Sequence, residues 1–127
     1  MTTGHSERIH PRHRLTATRD FAALRAEGVA HRGAHCLVVA LPRPGEPSRV
    51  GFVASKRGVG IAVLRNRARR RLREIVRRRW SRLPENGYLL MFVAYRTAPT
   101  APHEALASDV ERVLTAARVL APILEPQ

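Results

Sequence analysis

One stretch of the chain decides its fold: Arg65-Asn66-Arg67-Ala68-Arg69-Arg70-Arg71-Leu72-Arg73-Glu74-Ile75-Val76-Arg77-Arg78-Arg79. Nine of its fifteen residues are arginine, and one, Glu74, is acidic. Its apolar residues recur every four positions from Leu64 to Val76, with Ile75 beside them, which indicates a single apolar stripe on a helix. We therefore predict a helix over residues 62–80 that buries one edge and exposes guanidinium groups on the remaining surface.

The positive charge of the chain is concentrated around this helix. Residues 49–82 contain thirteen basic residues and one acidic residue, a net charge of +12. The other 93 residues hold ten basic and nine acidic groups, so they add only +1 to reach the formal charge of +13. Because so many like charges repel one another and oppose folding, we interpret the patch as a surface that binds phosphate groups.

The bulk properties of the chain favour one globular domain. A length of 127 residues and a hydrophobic content of 44% suit a single core rather than a disordered basic tail. The single cysteine, Cys36, excludes an internal disulfide and agrees with a cytoplasmic location. We expect no signal peptide and no membrane span, since the first residues are polar and no run of about 18 apolar residues exists.

The residues before the arginine helix predict a short helix and a hairpin. Residues 1–14 carry three histidines and three arginines without periodicity, and we expect them to form a flexible basic arm. Thr18 is expected to cap a helix over residues 19–27. Two apolar segments, 35–41 and 50–55, are predicted to be strands of a hairpin, joined by a turn rich in proline and glycine.

The residues after this hairpin complete the predicted domain. A glycine loop, 56–60, leads into the arginine helix, and residues 88–95 form the most hydrophobic strand. An amphipathic helix over residues 103–121 follows, and residues 123–127 are expected to be a loose C-terminal tail. The domain would span residues 15–122 in the order helix-strand-strand-helix-strand-helix. This order predicts an α+β fold, a single-domain sandwich with helices on one side of a sheet.

The sequence offers no support for catalysis by its own side chains. The acids are dispersed, Cys36 is expected in the core, and the six histidines show no zinc-ligand spacing. The loop 58–60 does not match a nucleotide-binding glycine motif. Glu74 is expected to pair with an arginine one turn away, whereas Asp109 and Glu111 are expected to be ordinary surface residues.

Several segments resemble the signature of the bacterial ribonuclease P protein family. The resemblance rests on Ser55-Lys56-Arg57, Val59-Gly60, Ala62-Val63, Arg65-Asn66-Arg67 and Arg69-Arg70-Arg71-Leu72-Arg73-Glu74, with further matches spread over residues 14–120. It implies a subunit that binds a large catalytic RNA and helps it to remove the 5′ leader from precursor tRNA. It also implies that Mg2+, held mainly by the RNA and the substrate, supplies the chemistry, and that the protein has no catalytic residue and no metal site.

The same resemblance implies two binding surfaces. The residues that match the signature, and would contact the catalytic RNA, are Lys56, Arg57, Arg65, Asn66, Arg67, Arg69, Arg70 and Arg73. A cleft between the first helix and the sheet would hold the single-stranded leader, with Phe21 in its family position. Arg25 and Val39 stand where other members carry aromatic residues, so stacking would contribute less to leader binding. The loop 56–60 is one residue longer than is usual in the family.

The resemblance further implies a left-handed connection through the arginine helix, from the strand at 50–55 to the strand at 88–95. General handedness rules would predict the opposite sense.

Other functions would also use a basic patch. A structural RNA-binding protein, such as a ribosomal protein, would share the patch but would need no leader cleft. A DNA-compacting protein fits less well, because the chain predicts no groove-reading element, and neither DNA nor a membrane is expected as a partner. Two aromatic residues keep two readings each, since Phe21 and Trp80 could complete the core or stack on a nucleotide.

Overall fold

The structure, a computed structural model, describes residues 9–122. These residues form three α-helices and four strands, in the order α1 (Thr18–Glu27), β1 (Val29–Arg32), β2 (Cys36–Pro47), β3 (Arg49–Val53), α2 (Ala62–Arg77), β4 (Asn86–Ala94) and α3 (His103–Ala116). Short 3-10 helices lie at Pro11–His13 and Trp80–Arg82. Within the described range, none of the helices has the length and apolar character needed to cross a membrane.

The four strands form one sheet in the order β1-β2-β4-β3. β2 is antiparallel to both β1 and β4, whereas β3 is parallel to β4 and connected to it through α2. The α+β fold class is therefore confirmed, but the predicted hairpin of residues 35–41 and 50–55 is wrong, because β4 lies between these strands. The hairpin that forms instead joins β1 to β2. The left-handed sense of the α2 connection stays a prediction.

Strand β1 was not predicted from the sequence. Its four residues, Val29–Arg32, contain no apolar run, and three of them are exposed. A strand at the edge of a sheet needs little apolar sequence, because its backbone pairs on one side only and its side chains face solvent. Its position follows from pairing with the long strand β2.

The central strands carry apolar residues on both faces of the sheet. Val38 pairs with Phe92 on the face that packs beneath α2 and α3, and Val39 pairs with Met91 on the face beneath α1. The expectation of helices on one side of the sheet is therefore wrong, since α1 lies on the opposite face. Burial on both faces is the physical reason why β2 and β4 read as nearly continuous apolar runs.

Helix α2 buries the predicted apolar stripe. Ala68, Leu72, Ile75 and Val76 are at most 1% exposed, and full burial of a leucine or isoleucine contributes roughly 1.5–3 kcal/mol. The helix ends at Arg77, a few residues before the predicted end at residue 80. The last helix also ends earlier than predicted, at Ala116 rather than residue 121, and the chain turns at Arg118, which has a φ of 62°.

Residues 9–14 pack against the domain instead of belonging to a free arm. Ile9 and His13 are each 5% exposed, and Nδ1 of His13 lies 2.7 Å from the carbonyl oxygen of Ser48. Arg14 forms a parallel bridge with Val50 at the edge of β3. The ordered domain therefore begins no later than Ile9, before the predicted boundary at residue 15. The remaining part of the predicted arm, residues 1–8, and the predicted tail, residues 123–127, lie outside the described residues.

The start of α1 differs from the prediction in one detail. Thr18 is the first helical residue, and Ala17 occupies the N-cap position without a side-chain hydrogen bond. The first turn is held instead by Asp20, which is 4% exposed and forms ion pairs with Arg43 at 3.5 Å and Arg49 at 3.9 Å. Asp20 therefore ties α1 to β2 and β3.

Asp109 of α3 was expected at the surface, but its side chain is buried and closes the β1–β2 turn. It is 1% exposed and accepts hydrogen bonds from the backbone N–H groups of Ala34 at 2.7 Å and His35 at 2.8 Å. The thiol of Cys36 lies 3.5 Å from the same carboxylate. Burial, together with this negative charge, raises the pKa of Cys36, so the residue is a protonated core thiol, as expected, and not a nucleophile.

Replacing Asp109 with alanine should lower the free energy of unfolding by about 2–4 kcal/mol, because two backbone N–H groups would lose their charged acceptor. Urea denaturation measures this loss. Ser108→Ala is a suitable control, since Ser108 is exposed on the same helix, and its effect should stay within about 0.5 kcal/mol. Equal stability of the two variants would contradict the assigned role of Asp109.

Candidate nucleic-acid interface

The loop before α2 and the first half of α2 carry basic side chains that face solvent. The loop is shaped by the hydroxyl of Ser55, which accepts a hydrogen bond from the N–H of Gly58 at 2.8 Å. Gly60 then has a φ of 121°, a conformation that favours glycine and turns the chain into the helix. In this loop and the first half of α2, four exposed basic side chains have no hydrogen-bond or ion-pair partner within residues 9–122; they are Lys56, Arg57, Arg67 and Arg70.

Other predicted residues are oriented by contacts on the side of α2 that faces β3. Arg65 donates to the carbonyl oxygen of Gly60 at 3.3 Å, and Arg69 donates to that of Ala54 at 3.3 Å. Arg69 also donates to the side-chain oxygen of Asn66. Each guanidinium has five N–H donors, so these contacts fix its direction while leaving donors for a partner.

Arg73 lies over an aromatic ring at the edge of the sheet. Its guanidinium carbon is 5.4 Å from the centre of the Phe52 ring, and Phe52 stacks on Phe92 with ring centres 5.6 Å apart. Partial burial lowers the pKa of Arg73, and the neighbouring charges of Arg14 and Arg69 lower it further. An arginine remains protonated at neutral pH nevertheless, so three like charges converge here. An anionic partner would relieve their repulsion.

The end of α2 uses its arginines within the fold. Glu74 accepts hydrogen bonds from Arg77 and Arg78, each with an N–O distance of 2.9 Å, which confirms the predicted pairing. These two hydrogen bonds lower the pKa of Glu74 to about 2. The single acid of the arginine stretch is therefore neutralised locally by this part of the helix.

The turn after α2 is tied to α3 by a second acid. Glu111 accepts a hydrogen bond from Arg79 at 2.8 Å and forms an ion pair with Arg82 at 3.5 Å. It was expected to be an ordinary surface residue, and this expectation is wrong because its carboxylate bridges two elements of the fold.

Arg71 has a structural role that could not be predicted from its place in the run of arginines. It donates hydrogen bonds to the carbonyl oxygens of Ala98 at 2.7 Å and Ala101 at 2.5 Å. Both acceptors belong to the loop that precedes α3. The guanidinium therefore satisfies two backbone oxygens of a segment that lies outside the helices and strands.

The thirteen basic residues of the patch thus divide into two groups. Those with partners that tie elements of the fold together or neutralise its acids are Arg49, Arg71, Arg77, Arg78, Arg79 and Arg82. The other seven are the basic residues predicted to bind RNA, and they occupy the loop 56–60 and α2 as far as Arg73. We name this second group, together with Asn66, the arginine surface.

A cleft of about 200 Å³ adjoins the arginine surface at the edge of β3. Its lining consists of Ile9, Arg14, Leu15, Thr16, Phe21, Val50, Gly51, Phe52 and Arg73. Arg73 belongs to both the cleft and the arginine surface, so the two are contiguous. At the base of the cleft, a Cβ on residue 51 would lie only 3.0 Å from Leu15. The absence of a side chain on Gly51 therefore allows the two segments to pack closely.

The structure distributes the three predicted leader-binding residues unevenly. Phe21 lines the cleft, whereas Arg25 and Val39 do not. Arg25 is exposed on α1. Val39 packs beneath the end of α1, where a Cβ on Gly28 would lie only 2.4 Å from its Cγ1. Phe52 also lines the cleft but was not predicted as a site residue. Its position in β3, the strand that leads directly into the loop 56–60, could have indicated it.

Trp80 covers the edge of the main core, which was one of its two expected roles. It packs against the core cluster and lies over His13, with ring centres 5.2 Å apart and planes tilted by 58°. A neighbouring cavity of about 310 Å³ is lined by His13, Trp80, Ser81, Leu83 and Glu85. The tryptophan thus connects the residues before α1 with the end of α2.

The amino-acid sequence is similar to those of known proteins of one family. The family model described as Ribonuclease P matches residues 9–118. The ribonuclease P protein component of Symbiobacterium thermophilum is 39% identical over 110 residues, which cover 85% of this chain and 93% of the relative. That of Kocuria rhizophila is 38% identical over 106 residues, which cover 84% of this chain and 92% of the relative.

Solved structures show the same fold. The RNase P protein of Staphylococcus aureus superposes with a TM-score of 0.74 at 24% identity, covering 85% of this chain and 97% of that chain. The protein from Thermotoga maritima gives a TM-score of 0.71, also at 24% identity, covering 83% of this chain and 97% of that chain. At this level of identity the likeness concerns the fold.

Replacing two adjacent arginines, Arg70 and Arg71, should have different effects on stability. Arg71→Ala should lower the free energy of unfolding by about 1–3 kcal/mol, because two carbonyl oxygens would lose their charged donor. Arg70→Ala should change it by no more than about 0.5 kcal/mol, because this exposed side chain has no partner within residues 9–122. Thermal or urea unfolding of both variants distinguishes them. A larger loss for Arg70→Ala would show that the assignment is reversed.

Proposed function

This chain belongs to the ribonuclease P protein family, and we propose that its arginine surface binds the catalytic RNA of that enzyme. It is a protein component of an endoribonuclease that acts in tRNA processing. The observation that carries the proposal is the set of exposed basic side chains without partners at the start of α2, Lys56, Arg57, Arg67 and Arg70.

The chemistry of these side chains suits a folded RNA. Guanidinium groups donate two parallel hydrogen bonds to a phosphate, and several of them on one helix can follow successive phosphates of a backbone. Each phosphate that they neutralise releases condensed counterions, which makes binding strongly dependent on salt. The contacts that orient Arg65, Arg69 and Arg73 support this role, since a partly fixed side chain loses less conformational entropy on binding.

The cleft beside the arginine surface supports a second part of the proposal, binding of the single-stranded 5′ leader of precursor tRNA. Phe21 and Phe52 offer ring surfaces on which a base can stack, and Arg14 and Arg73 can contact the adjacent phosphates. Arg25 lies one turn after Phe21 on α1 and would add positive charge to the same side of that helix. Val39 would support α1 by packing against it from the sheet. Because Arg73 belongs to both surfaces, leader and catalytic RNA would meet at this side chain.

We assign the hydrolysis itself to the RNA subunit. Within residues 9–122, no group of three His, Cys, Asp or Glu side chains could hold a metal ion. The arginine surface is cationic, and the one acid of α2, Glu74, is engaged by Arg77 and Arg78, so these residues do not fit a Mg2+ ion held by the protein. The protein would contribute by reducing repulsion between RNA phosphates, so that the RNA and the substrate bind their own Mg2+ more readily.

We propose the cytoplasm as the location of the protein, because a reducing compartment suits the unpaired thiol of Cys36.

Arg67→Ala and Arg70→Ala should each weaken binding to the cognate catalytic RNA and reduce the slope of log K against log salt by about one. Filter binding at several salt concentrations measures both quantities. Arg32→Ala is a matched control, because Arg32 is exposed on β1, at the opposite edge of the sheet from β3. Unchanged slopes in both α2 variants would show that this helix does not face phosphate.

Reconstitution tests the enzymatic role. At low Mg2+ concentration, adding the protein to its cognate RNA should raise the rate of precursor tRNA cleavage, and it should raise the affinity for precursor more than that for mature tRNA. The protein alone should cleave neither. Unchanged cleavage with tight RNA binding would favour a structural RNA-binding protein, such as a ribosomal protein.

A further inference from the structure

Two exposed apolar side chains lie at the start of α2. Within residues 9–122, only three large apolar side chains are strongly exposed: Ile61 at 67%, Val63 at 62% and Val29 at 60%. A single exposed apolar residue such as Val29 is common and needs no explanation. Ile61 and Val63, however, are two residues apart, at the junction between the loop that carries Lys56 and the helix that carries Arg67.

Local stability gives no reason for an apolar side chain at either position. Ile61 is the N-cap residue of α2 and makes no side-chain cap hydrogen bond, and serine, asparagine or aspartate would be far better at such a position than isoleucine. Val63 lies in the first turn, where an exposed β-branched residue favours a helix less than alanine does. Neither side chain finds burial within the described part of the domain to offset this.

We propose that Ile61 and Val63 pack against unstacked nucleobases of the catalytic RNA. This inference deepens the proposed function and rests on it. The surrounding charge selects the partner, because Lys56, Arg57 and Arg67 have no acid to pair with in the described structure and therefore favour a polyanion. Loops and bulges of a folded RNA expose base faces with phosphates on either side, and recognition by protein is concentrated at such sites.

The proposal separates RNA binding into two physical components. The cations contribute the part that weakens with salt, since it arises from counterion release. The apolar pair contributes a part that is nearly independent of salt, since removing apolar surface from water involves no ion exchange. Variants of the two groups should therefore affect the same binding curve in different ways.

The double variant Ile61→Ser/Val63→Ala tests the inference with the in vitro transcript of the cognate ribonuclease P RNA as the probe. Its affinity for the transcript should fall about tenfold, the loss expected when two apolar side chains of this size are each only partly buried by the contact, and the salt slope should stay unchanged. Its thermal stability should be equal to or above that of the parent, because both replacements suit the start of a helix better. Val29→Ser, at an equally exposed site on β1, should leave the affinity unchanged.

An unchanged affinity of the double variant, with a normal loss of slope in Arg67→Ala, would overturn this inference and leave the proposed function intact. If Arg67→Ala and Arg70→Ala also both left the slope unchanged, the proposed function itself would fail. A third arm measures sedimentation with phosphatidylcholine vesicles that contain one quarter phosphatidylglycerol. Binding of the parent that is lost in the double variant, with full RNA affinity retained, would assign the apolar pair to a membrane surface and overturn the nucleobase contact.

Discussion

Helix α2 can bury only a narrow stripe of its surface, and the rest of the structure depends on this constraint. Ala68, Leu72, Ile75 and Val76 fill that stripe and fix the rotation of the helix against the sheet. Once the rotation is fixed, the positions of all arginines on the helix are determined. Those that reach acids or carbonyl oxygens stabilise the fold, and those at the start of the helix face outward.

This arrangement balances charge against stability along a single helix. The end of α2 and the following turn are held by Glu74 and Glu111, which neutralise the arginines near them. The start of the helix and the loop before it lack such acids, and their charges remain uncompensated within the described residues. The uncompensated half costs stability in the free protein, and binding of a polyanion offsets that cost. Because the cleft shares Arg73 with this half, a strand bound in the cleft would contribute to the same compensation.

The features that could be predicted from the sequence are those set by local patterns. The four-residue spacing of Leu64, Ala68 and Leu72 specified the buried side of α2. The residues selected by the resemblance to one family include four exposed cations, Lys56, Arg57, Arg67 and Arg70. The features that could not be predicted depend on partners far apart in the chain. Asp109 was misjudged because its acceptor role involves Ala34 and His35, more than seventy residues away.

Strand pairing failed for a similar reason. Two consecutive apolar segments were expected to pair as a hairpin, but the later strand β4 inserts between β2 and β3 because it can bury apolar residues on both faces. The run of arginines also did not indicate which of their side chains form hydrogen bonds that stabilise the fold. Arg70 and Arg71 are adjacent and identical in type, and only the carbonyl oxygens of Ala98 and Ala101 distinguish them.

The central claim is that one helix divides its arginines between the fold and the RNA. Modification with an arginine-selective dicarbonyl reagent, read residue by residue by mass spectrometry with and without the catalytic RNA, tests it most directly. Arg67 and Arg70 should react readily in the free protein and be protected by RNA. Arg71 and Arg79 should react slowly in both states, and Arg32 should react readily in both. Equal reactivity of Arg67 and Arg70 with and without RNA would contradict the claim.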